Sequence, residues 1–237
     1  MDLQEIIDDS KRIVFFGGAG VSTESGIPDF RSEDGLYSQK YSYPPEQIVS
    51  HTFYMRNTQE FYRFYRDRMI FPDAKPNEAH LKLAELEKAG KLSCVITQNI
   101  DGLHQMAGSK NVIELHGSVH RNYCESCGKF YPLSAVMGSS GIPKCECGGR
   151  IKPDVVLYEE GLKEDDLVRA TEEIAAADTL IIGGTSLVVY PAAGLVRYFG
   201  GRHLVVINKS EISADKSAEL VINESIGKVM ERIKVGG

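Results

Sequence analysis

The chain has 237 residues, of which 42% are hydrophobic and 25% charged, so it is long and apolar enough to bury a substantial core, which excludes a disordered protein. Its formal net charge is -6 and no basic face or polybasic run occurs, which argues against partners such as nucleic acid or an anionic membrane. The amino terminus has no apolar signal region, and no run of about 18 apolar residues occurs, so we expect a cytoplasmic protein, with a monomer as the default.

Four short apolar runs predict buried parallel strands, because each is rich in β-branched or aromatic residues and does not alternate with polar residues. The predicted strands are Ile13–Phe16, Cys94–Thr97, Thr179–Gly184 and Leu204–Asn208. Helical patterns separate them, over residues 77–89, 165–177 and 224–234. Strands that alternate with helices predict an α/β fold, a Rossmann-like, doubly wound parallel sheet whose ligands bind at the carboxyl ends of the strands.

The first strand is followed by the glycine-rich stretch "GGAG" at residues 17–20. A strand that leads through such a loop into a helix presents backbone N–H groups to a pyrophosphate. The dinucleotide fingerprint requires glycine three positions after Gly20, where this chain has Thr23, so an ordinary hydride-transferring dehydrogenase is disfavoured. Pro28 then stiffens the chain before Asp29, Phe30 and Arg31, and a rigid turn that displays these side chains favours a site over mere surface decoration.

The second strand is followed by "TQNIDGLH", Thr97 to His104. Asn and Asp are common capping and turn residues, so a purely structural explanation of this cluster is open. The carboxyl end of a parallel strand is also where ligands bind, which makes a polar binding pocket the competing explanation.

Five cysteines need an explanation in a reducing compartment, where clustered thiols are more often metal ligands than disulfides. Cys94 lies in a predicted strand and is explained as a small core residue. The other four follow the pattern C-x2-C-x17-C-x-C, at Cys124, Cys127, Cys145 and Cys147. We expect them to bind one structural zinc ion, since so short and polar a segment lacks an apolar core of its own. A zinc ribbon of a nucleic-acid-binding protein is the alternative for this segment alone.

Two segments do not fit the strand–helix alternation. Residues 31–76, rich in Tyr, Phe and Arg, predict a small helical insertion, and residues 121–150 contain the four clustered cysteines. We therefore expect a Rossmann-like domain made of residues 1–30, 77–120 and 151–237. A smaller domain would combine the insertion, 31–76, with the zinc-binding module, 121–150.

Several of these stretches occur together in one known family. "GAGVSTESGIPDFR", "TQNIDGLH", "ELHGS", the four cysteines, "GTSLVVYPAA" and "INK" stand in this order along the chain. Together they resemble the sirtuins, NAD-dependent protein lysine deacylases, over nearly the whole chain. "TQNIDGLH" and "GIPDFR" are the specific motifs, whereas the glycine loop and the cysteines occur in many families.

The resemblance implies a role for each matching position, with His116 as the general base and Asn99 and Asp101 as further catalytic residues. The expected cofactor, NAD, would contact Ala19, Gly20, Thr23, Phe30, Arg31, Gln98, Asn99, Ile100, Asp101, His116, Thr185, Ser186, Asn208 and Ile226. Within this set, Gln98 to Asp101 would hold the nicotinamide. His104 and His120 lie near the motifs but do not match the family's base.

The implied reaction transfers the acyl group of an acetylated protein or peptide substrate to ADP-ribose. Nicotinamide leaves as the acyl oxygen attacks the ribose, and a histidine with a reference pKa of about 6.5 is suited to remove a proton from the ribose hydroxyl. The products would be free lysine, nicotinamide and O-acetyl-ADP-ribose. The peptide would enter as an added strand between residues 155–158 and 187–190, although either segment could be a core strand.

Acyl preference is predicted from the helical insertion. The branch of the sirtuin family that accepts succinyl groups is characterised by a Tyr-x-x-Arg motif in this insertion. Here Tyr62 is followed three positions later by Tyr65, and arginine comes only at Arg66. We therefore expect a deacetylase. An ADP-ribosyltransferase that uses the same site and a catalytically silent zinc-containing binding module are the alternatives.

Overall fold

The structure is a computed structural model and describes residues 1–30, 35 and 43–236. The strands are β1 (Ile13–Gly17), β2 (Leu92–Thr97), β3 (Val112–Glu114), β4 (Gly117–Cys124), β5 (Phe130–Pro132), β6 (Ile151–Val155), β7 (Thr179–Gly183), β8 (His203–Ile207) and β9 (Leu220–Ile222). The helices are α1 (Leu3–Asp9), α2 (Pro45–Ile48), α3 (His51–Arg56), α4 (Thr58–Arg68), α5 (Glu78–Lys88), α6 (Leu103–Ala107), α7 (Leu133–Met137), α8 (Glu164–Ala176) and α9 (Ile226–Glu231).

Six strands form a parallel sheet in the order β3-β2-β1-β7-β8-β9. Every residue of β1 and β7 is buried, because separate apolar clusters cover the two faces of the sheet. This confirms the predicted α/β fold with its doubly wound parallel sheet. Strands β3 and β9 were not predicted, since each has only three residues and is partly exposed.

The direction of winding reverses between β1 and β7. From β1 the chain continues to β2 and β3 on one side, while β7 is followed by β8 and β9 on the other. The last residues of β1 and β7, Gly17 and Gly183, are paired in register. The loops that leave these strands therefore begin side by side and separate, and such a crevice is where ligands bind in open α/β sheets.

The predicted helices are present with shifted ends. Helix α5 begins after Asn77, whose side chain accepts a hydrogen bond from the N–H of Ala79, and it is followed by Gly90 with φ +75°. Helix α9 is shorter than the predicted 224–234. The helix predicted after the first strand was wrong in type, because Ala19–Ser25 forms a 3-10 turn, called the glycine-rich turn below. In the part of the chain that the structure describes, no helix has the length and apolarity needed to cross a membrane.

A smaller antiparallel sheet, in the order β5-β4-β6, packs with helices α2 to α4 around a third apolar cluster. That cluster draws on the insertion, through Tyr54, Phe61 and Tyr62, and on the cysteine segment, through Val136 and Cys145. The proposed boundary at residue 120 falls within β4, and β6 begins directly after the boundary at 150.

An ionic cluster lies at the edge of the large sheet opposite the crevice. His203 is buried, with Nδ1 2.6 Å from Glu219 Oε2 and Nε2 3.2 Å from Asp9 Oδ2, and Arg202 also pairs with Asp9. The hydrogen bond to Glu219, followed by that to Asp9, raises the pKa of His203. Through these ion pairs the cluster connects α1 to β8 and to the start of β9.

We expect this cluster to make stability depend on pH. Because the pKa of His203 is raised in the folded state, its contribution is fully present below the unfolded value of about 6.5 and is lost as pH rises through the folded value. His203→Gln should therefore destabilise the protein more at pH 6 than at pH 9, measured as urea midpoints. His51→Gln, at an exposed histidine paired with Glu160, is the control. An equal loss at both pH values in His203→Gln would contradict the linkage.

Candidate active site

A cavity of about 510 Å³ opens at the carboxyl ends of β1, β2, β7 and β8. Thirteen residues predicted from the sequence to bind the cofactor line it, namely Ala19, Gly20, Thr23, Phe30, Gln98, Asn99, Ile100, Asp101, His116, Thr185, Ser186, Asn208 and Ile226. Arg31, the fourteenth, lies outside the described residues. The fold thus brings together residues that stand more than 200 positions apart in the chain.

The backbone of the glycine-rich turn packs directly against the backbone of the loop that follows β7. The N–H of Gly20 donates to the carbonyl oxygen of Gly184 over 2.8 Å, and a Cβ on Gly20 would stand 2.8 Å from the Cα of Gly184. Gly184 has φ +57°, and a Cβ there would lie 2.4 Å from the nitrogen of Val21. Both positions therefore require glycine, since any side chain would separate the two loops that form this wall of the cavity.

A network of side-chain hydrogen bonds holds the stretch after β2. The amide of Asn99 donates to Ser22 Oγ over 3.0 Å, and the Ser22 hydroxyl donates to Asp101 Oδ2 over 2.7 Å. The other carboxylate oxygen of Asp101 accepts from the N–H of Leu103 over 2.9 Å. The amide of Gln98 donates to Thr185 Oγ1 over 3.0 Å, which links β2 to β7. Ser22 is fully buried at the centre of this network, a role that sequence reasoning missed because a serine in a glycine-rich loop carries no distinctive pattern.

His116 follows β3 and lines the cavity. Its Nδ1–H donates to the carbonyl oxygen of Gln98 over 2.9 Å, which assigns the proton of the neutral ring to Nδ1 and leaves Nε2 as the basic atom. Burial lowers the pKa of His116, partly offset by that backbone hydrogen bond, so the ring is neutral near pH 7.

The two other histidines near the motifs have different surroundings. His120 lines the cavity and its Nε2 lies 3.0 Å from the carbonyl oxygen of Asp101. His104 is 1% exposed, and its ring centroid lies 4.7 Å from that of His80. Burial lowers the pKa of His104 to about 3 and that of His80 to about 4, so both rings are neutral members of the core.

The four clustered cysteines meet at one point beside the small sheet, at the end of β4 and in the loops that follow. Their sulfur atoms all lie within 4.8 Å of one another, with 3.5 Å between the Sγ atoms of Cys124 and Cys147 and 3.6 Å between those of Cys127 and Cys145. Four sulfurs at the usual Zn–S distance of about 2.3 Å form a tetrahedron with edges of about 3.8 Å, so the cysteines are positioned to bind one structural zinc ion. The hydroxyl of Tyr131 donates to Cys145 Sγ over 3.0 Å, and the N–H of Ser126 lies 3.4 Å from Cys124 Sγ.

The insertion contributes a wall of the cavity through α4. Tyr65 lines the cavity, is 1% exposed, and its hydroxyl makes no hydrogen bond with any described residue. Arg66 points elsewhere, because its guanidinium donates to the carbonyl oxygens of Val136 and Gly141 and to Ser139 Oγ. Arg66, the arginine considered in the prediction of acyl preference, is therefore bound to the cysteine segment, whereas Arg68 lines the cavity.

The two segments predicted to hold a peptide both border the cavity but differ in structure. Strand β6 ends at Val155, and Tyr158 forms a parallel bridge with Ser50. Residues 187–190 form no strand, which excludes the alternative that this segment is a core strand; Leu187 has φ +51°, and the N–H of Leu187 donates to Thr185 Oγ1 over 3.2 Å. Tyr190 is 71% exposed at the mouth of the cavity.

The chain is similar to known proteins over most of its length. The model of the Sir2 family matches residues 18–191. An NAD-dependent protein deacetylase of Clostridium acetobutylicum is 61% identical over 236 residues, covering 98% of this chain and 96% of that protein. One of Cutibacterium acnes is 54% identical over 230 residues, covering 96% of this chain and 94% of that protein.

Solved structures agree with these matches. A Sir2 homologue in complex with NAD superposes with a TM-score of 0.87 at 41% identity, covering 98% of this chain and 91% of that chain. A Sir2 protein in complex with deacetylated p53 peptide and 3'-O-acetyl ADP-ribose superposes with a TM-score of 0.88 at 42% identity, covering 98% of this chain and 97% of that chain.

Proposed function

The chain belongs to the Sir2 family, and we propose that it is an NAD-dependent protein deacetylase that transfers the acetyl group of acetyl-lysine to ADP-ribose, releasing nicotinamide and O-acetyl-ADP-ribose. The observation that carries the proposal is that His116, with its basic Nε2, lines the same cavity as the glycine-rich turn and the Gln98–Asp101 stretch. A base beside a nucleotide-sized cavity is the arrangement that acyl transfer to a ribose hydroxyl needs.

The cavity's chemistry fits NAD. The proposal places Ala19, Gly20 and Thr23 against its phosphates and ribose, and Gln98 to Asp101 with Phe30 and Arg31 around its nicotinamide end. The remaining contacts, to the pyrophosphate, the ribose groups and the adenine, come from Thr185, Ser186, Asn208 and Ile226. NAD supplies the ADP-ribosyl group that accepts the acyl group, with nicotinamide as its leaving group.

Asn99 and Asp101 are proposed to hold the nicotinamide carboxamide. Their side chains are already oriented by one shared partner, because Ser22 Oγ accepts from Asn99 and donates to Asp101. Such preorganised polar groups need no rearrangement when substrate binds. The buried position of Asn99 also supports exclusion of water from the reacting centre.

His116 is proposed as the general base. Because the carbonyl oxygen of Gln98 holds the proton on Nδ1, Nε2 is the atom that accepts a proton from the ribose hydroxyl. The lowered pKa of His116 keeps Nε2 unprotonated at neutral pH, so the proposed activity should decrease as acid protonates the ring.

The zinc ion would have a structural role, because four thiolates complete its tetrahedral shell and leave no position for water or substrate. We retain the division into a Rossmann-like domain of residues 1–30, 77–120 and 151–237 and a smaller domain of residues 31–76 and 121–150. This division into two domains is supported by the separate apolar cluster that the insertion and the cysteine segment share.

The proposed substrates are acetylated proteins or peptides, with the peptide entering between residues 155–158 and 187–190, which both border the cavity. We propose that the protein is a monomer and binds neither nucleic acid nor membranes, which is consistent with its net charge of -6. We also propose that it is cytoplasmic, where a reducing environment keeps the four cysteines available to the metal.

We expect incubation with labelled NAD and an acetyl-lysine peptide to produce labelled O-acetyl-ADP-ribose and nicotinamide. Label transferred to protein would instead indicate the alternative ADP-ribosyltransferase, and no nicotinamide release would indicate a silent binding module. The same peptide with succinyl-lysine should turn over more slowly, because Arg66 is engaged by the cysteine segment and Tyr65 stands in the pocket. Faster desuccinylation would refute the acyl preference without refuting NAD-dependent deacylation.

A further inference from the structure

The glycine-rich turn is a weak element that its neighbours must hold. It has seven residues in 3-10 conformation, and its N-cap residue, Gly18, offers no side chain to cap it. Runs of 3-10 helix longer than three or four residues are uncommon, because their hydrogen bonds have poor geometry. The position of this turn in the NAD site therefore depends on hydrogen bonds from other parts of the fold.

Asn77, at the start of α5, supplies two of these hydrogen bonds. Its Nδ2 donates to the carbonyl oxygen of Val21 over 2.8 Å and to Ser25 Oγ over 2.9 Å. Its Oδ1 meanwhile accepts from the N–H of Ala79, which caps α5. One side chain thus caps a helix with its oxygen and holds the turn with its nitrogen.

The position of Asn77 is itself held from within the core. The N–H of Asn77 donates to Nδ1 of His80 over 3.2 Å, and His80 is fully buried. Burial keeps this imidazole neutral, so Nδ1 can accept that hydrogen bond. Helix α5, which packs against the large sheet, therefore serves as the rigid support from which Asn77 reaches the turn.

Glu24 holds the opposite side of the turn. Its Oε2 accepts from the N–H of Gly227 over 2.7 Å, at the first turn of α9. A Cβ on Gly227 would lie 2.6 Å from that oxygen, so the contact depends on glycine. The residue before it, Ile226, lines the cavity. Glu24 thereby joins the phosphate side of the proposed NAD site to its adenine side.

We propose that Asn77 and Glu24 are positioning residues of the NAD site, which hold the glycine-rich turn in its binding conformation from α5 and α9. Neither residue lines the cavity, so both act through the turn and not by touching the dinucleotide. This inference rests on the proposed function. Asn77 has the larger effect, because it is half-buried and makes two hydrogen bonds to the turn, whereas Glu24 is exposed and joins the turn to α9 by one.

The test is steady-state kinetics with varied NAD, with NAD affinity by calorimetry and the melting temperature measured on the same proteins. Asn77→Asp keeps the oxygen that caps α5 but removes both donors to the turn. It should raise KM and Kd for NAD about 10-fold, with kcat within about twofold and the melting temperature unchanged. Asn57→Asp is the matched control, since Asn57 stands at the N-cap of α4 without a side-chain capping bond.

Glu24 allows a second test by conservative rescue. Glu24→Ala should raise KM for NAD about threefold, whereas Glu24→Gln, which keeps an oxygen acceptor for Gly227, should restore the wild-type value. Unchanged KM and Kd in Asn77→Asp would overturn the proposal. A lower melting temperature with unchanged NAD affinity would also overturn it, because the role would then be structural only. If the wild-type protein releases no nicotinamide from NAD, the proposed function is wrong. The positioning role of Asn77 is then tested only by the Kd for NAD, measured by calorimetry on wild type and on Asn77→Asp.

Discussion

Replacing His116 by alanine should lower deacetylation by about 10²- to 10⁴-fold, the range that general-base catalysis supplies. The variant loses the only atom proposed to take the proton from the ribose hydroxyl, Nε2, which the hydrogen bond from Nδ1 to Gln98 keeps available. Among the residues that the structure describes, the half-buried ring of His116 hydrogen-bonds to no other side chain, so the fold and melting temperature should change little. Turnover of an acetyl-lysine peptide under saturating NAD is the measurement.

The matched control is His51→Ala, at an exposed histidine that does not line the cavity. Wild type and control should share a pH profile in which activity falls on the acid side, as protonation of His116 removes the base. Unchanged turnover in His116→Ala, with NAD binding intact, would overturn the assignment of the base.

Replacing Cys124 by alanine should release zinc and unfold the small sheet. Zinc binding by four thiolates contributes apparent free energies of about 10 to 16 kcal/mol in zinc-finger peptides, far more than a segment this short gains from its own packing. Cys124 belongs to the apolar cluster shared with the insertion, and Val119 and Val155 of β4 and β6 line the cavity. Loss of the metal should therefore abolish deacetylation as well, although no thiol touches the proposed reacting centre.

Metal analysis and hydrogen exchange over residues 117–155 would check this expectation. Cys94→Ala provides the control, because Cys94 is a fully buried thiol of β2 whose pKa burial raises to about 12, so it is an inert core residue. That variant should keep one zinc ion per chain. A Cys124→Ala protein that lacks zinc yet retains protection over 117–155 would contradict the structural role of the metal.

The sequence predicts which residues line the cavity where side-chain type and strand position act together. Gln98, Asn99 and Asp101 could be placed at the carboxyl end of a strand because β2 is a continuous apolar run, and parallel strands direct such residues to one edge. The cysteine spacing predicted the metal site for a similar reason, since closely spaced cysteine pairs are typical of thiolate zinc sites, and the four sulfur atoms lie within 4.8 Å of one another.

What the sequence did not predict depends on contacts between distant segments. The 3-10 turn at Ala19–Ser25 has the glycines of a helix-leading loop, and its form depends on contacts with distant segments, such as the close approach to Gly184. Ser22 and Asn77 have ordinary local explanations, as a loop residue and a helix cap, and their links to Asp101 and Val21 exist only once the chain has folded. Strands β3 and β9 are formed by pairing with longer neighbours and not by their own propensity.

The backbone contact between Gly20 and Gly184 limits how this protein could be engineered. Since neither position tolerates a Cβ, random substitution at either should yield only inactive variants, whatever the amino acid introduced. Libraries meant to alter dinucleotide preference should leave both glycines fixed and diversify Ser186, Asn208 and Ile226, which also line the cavity.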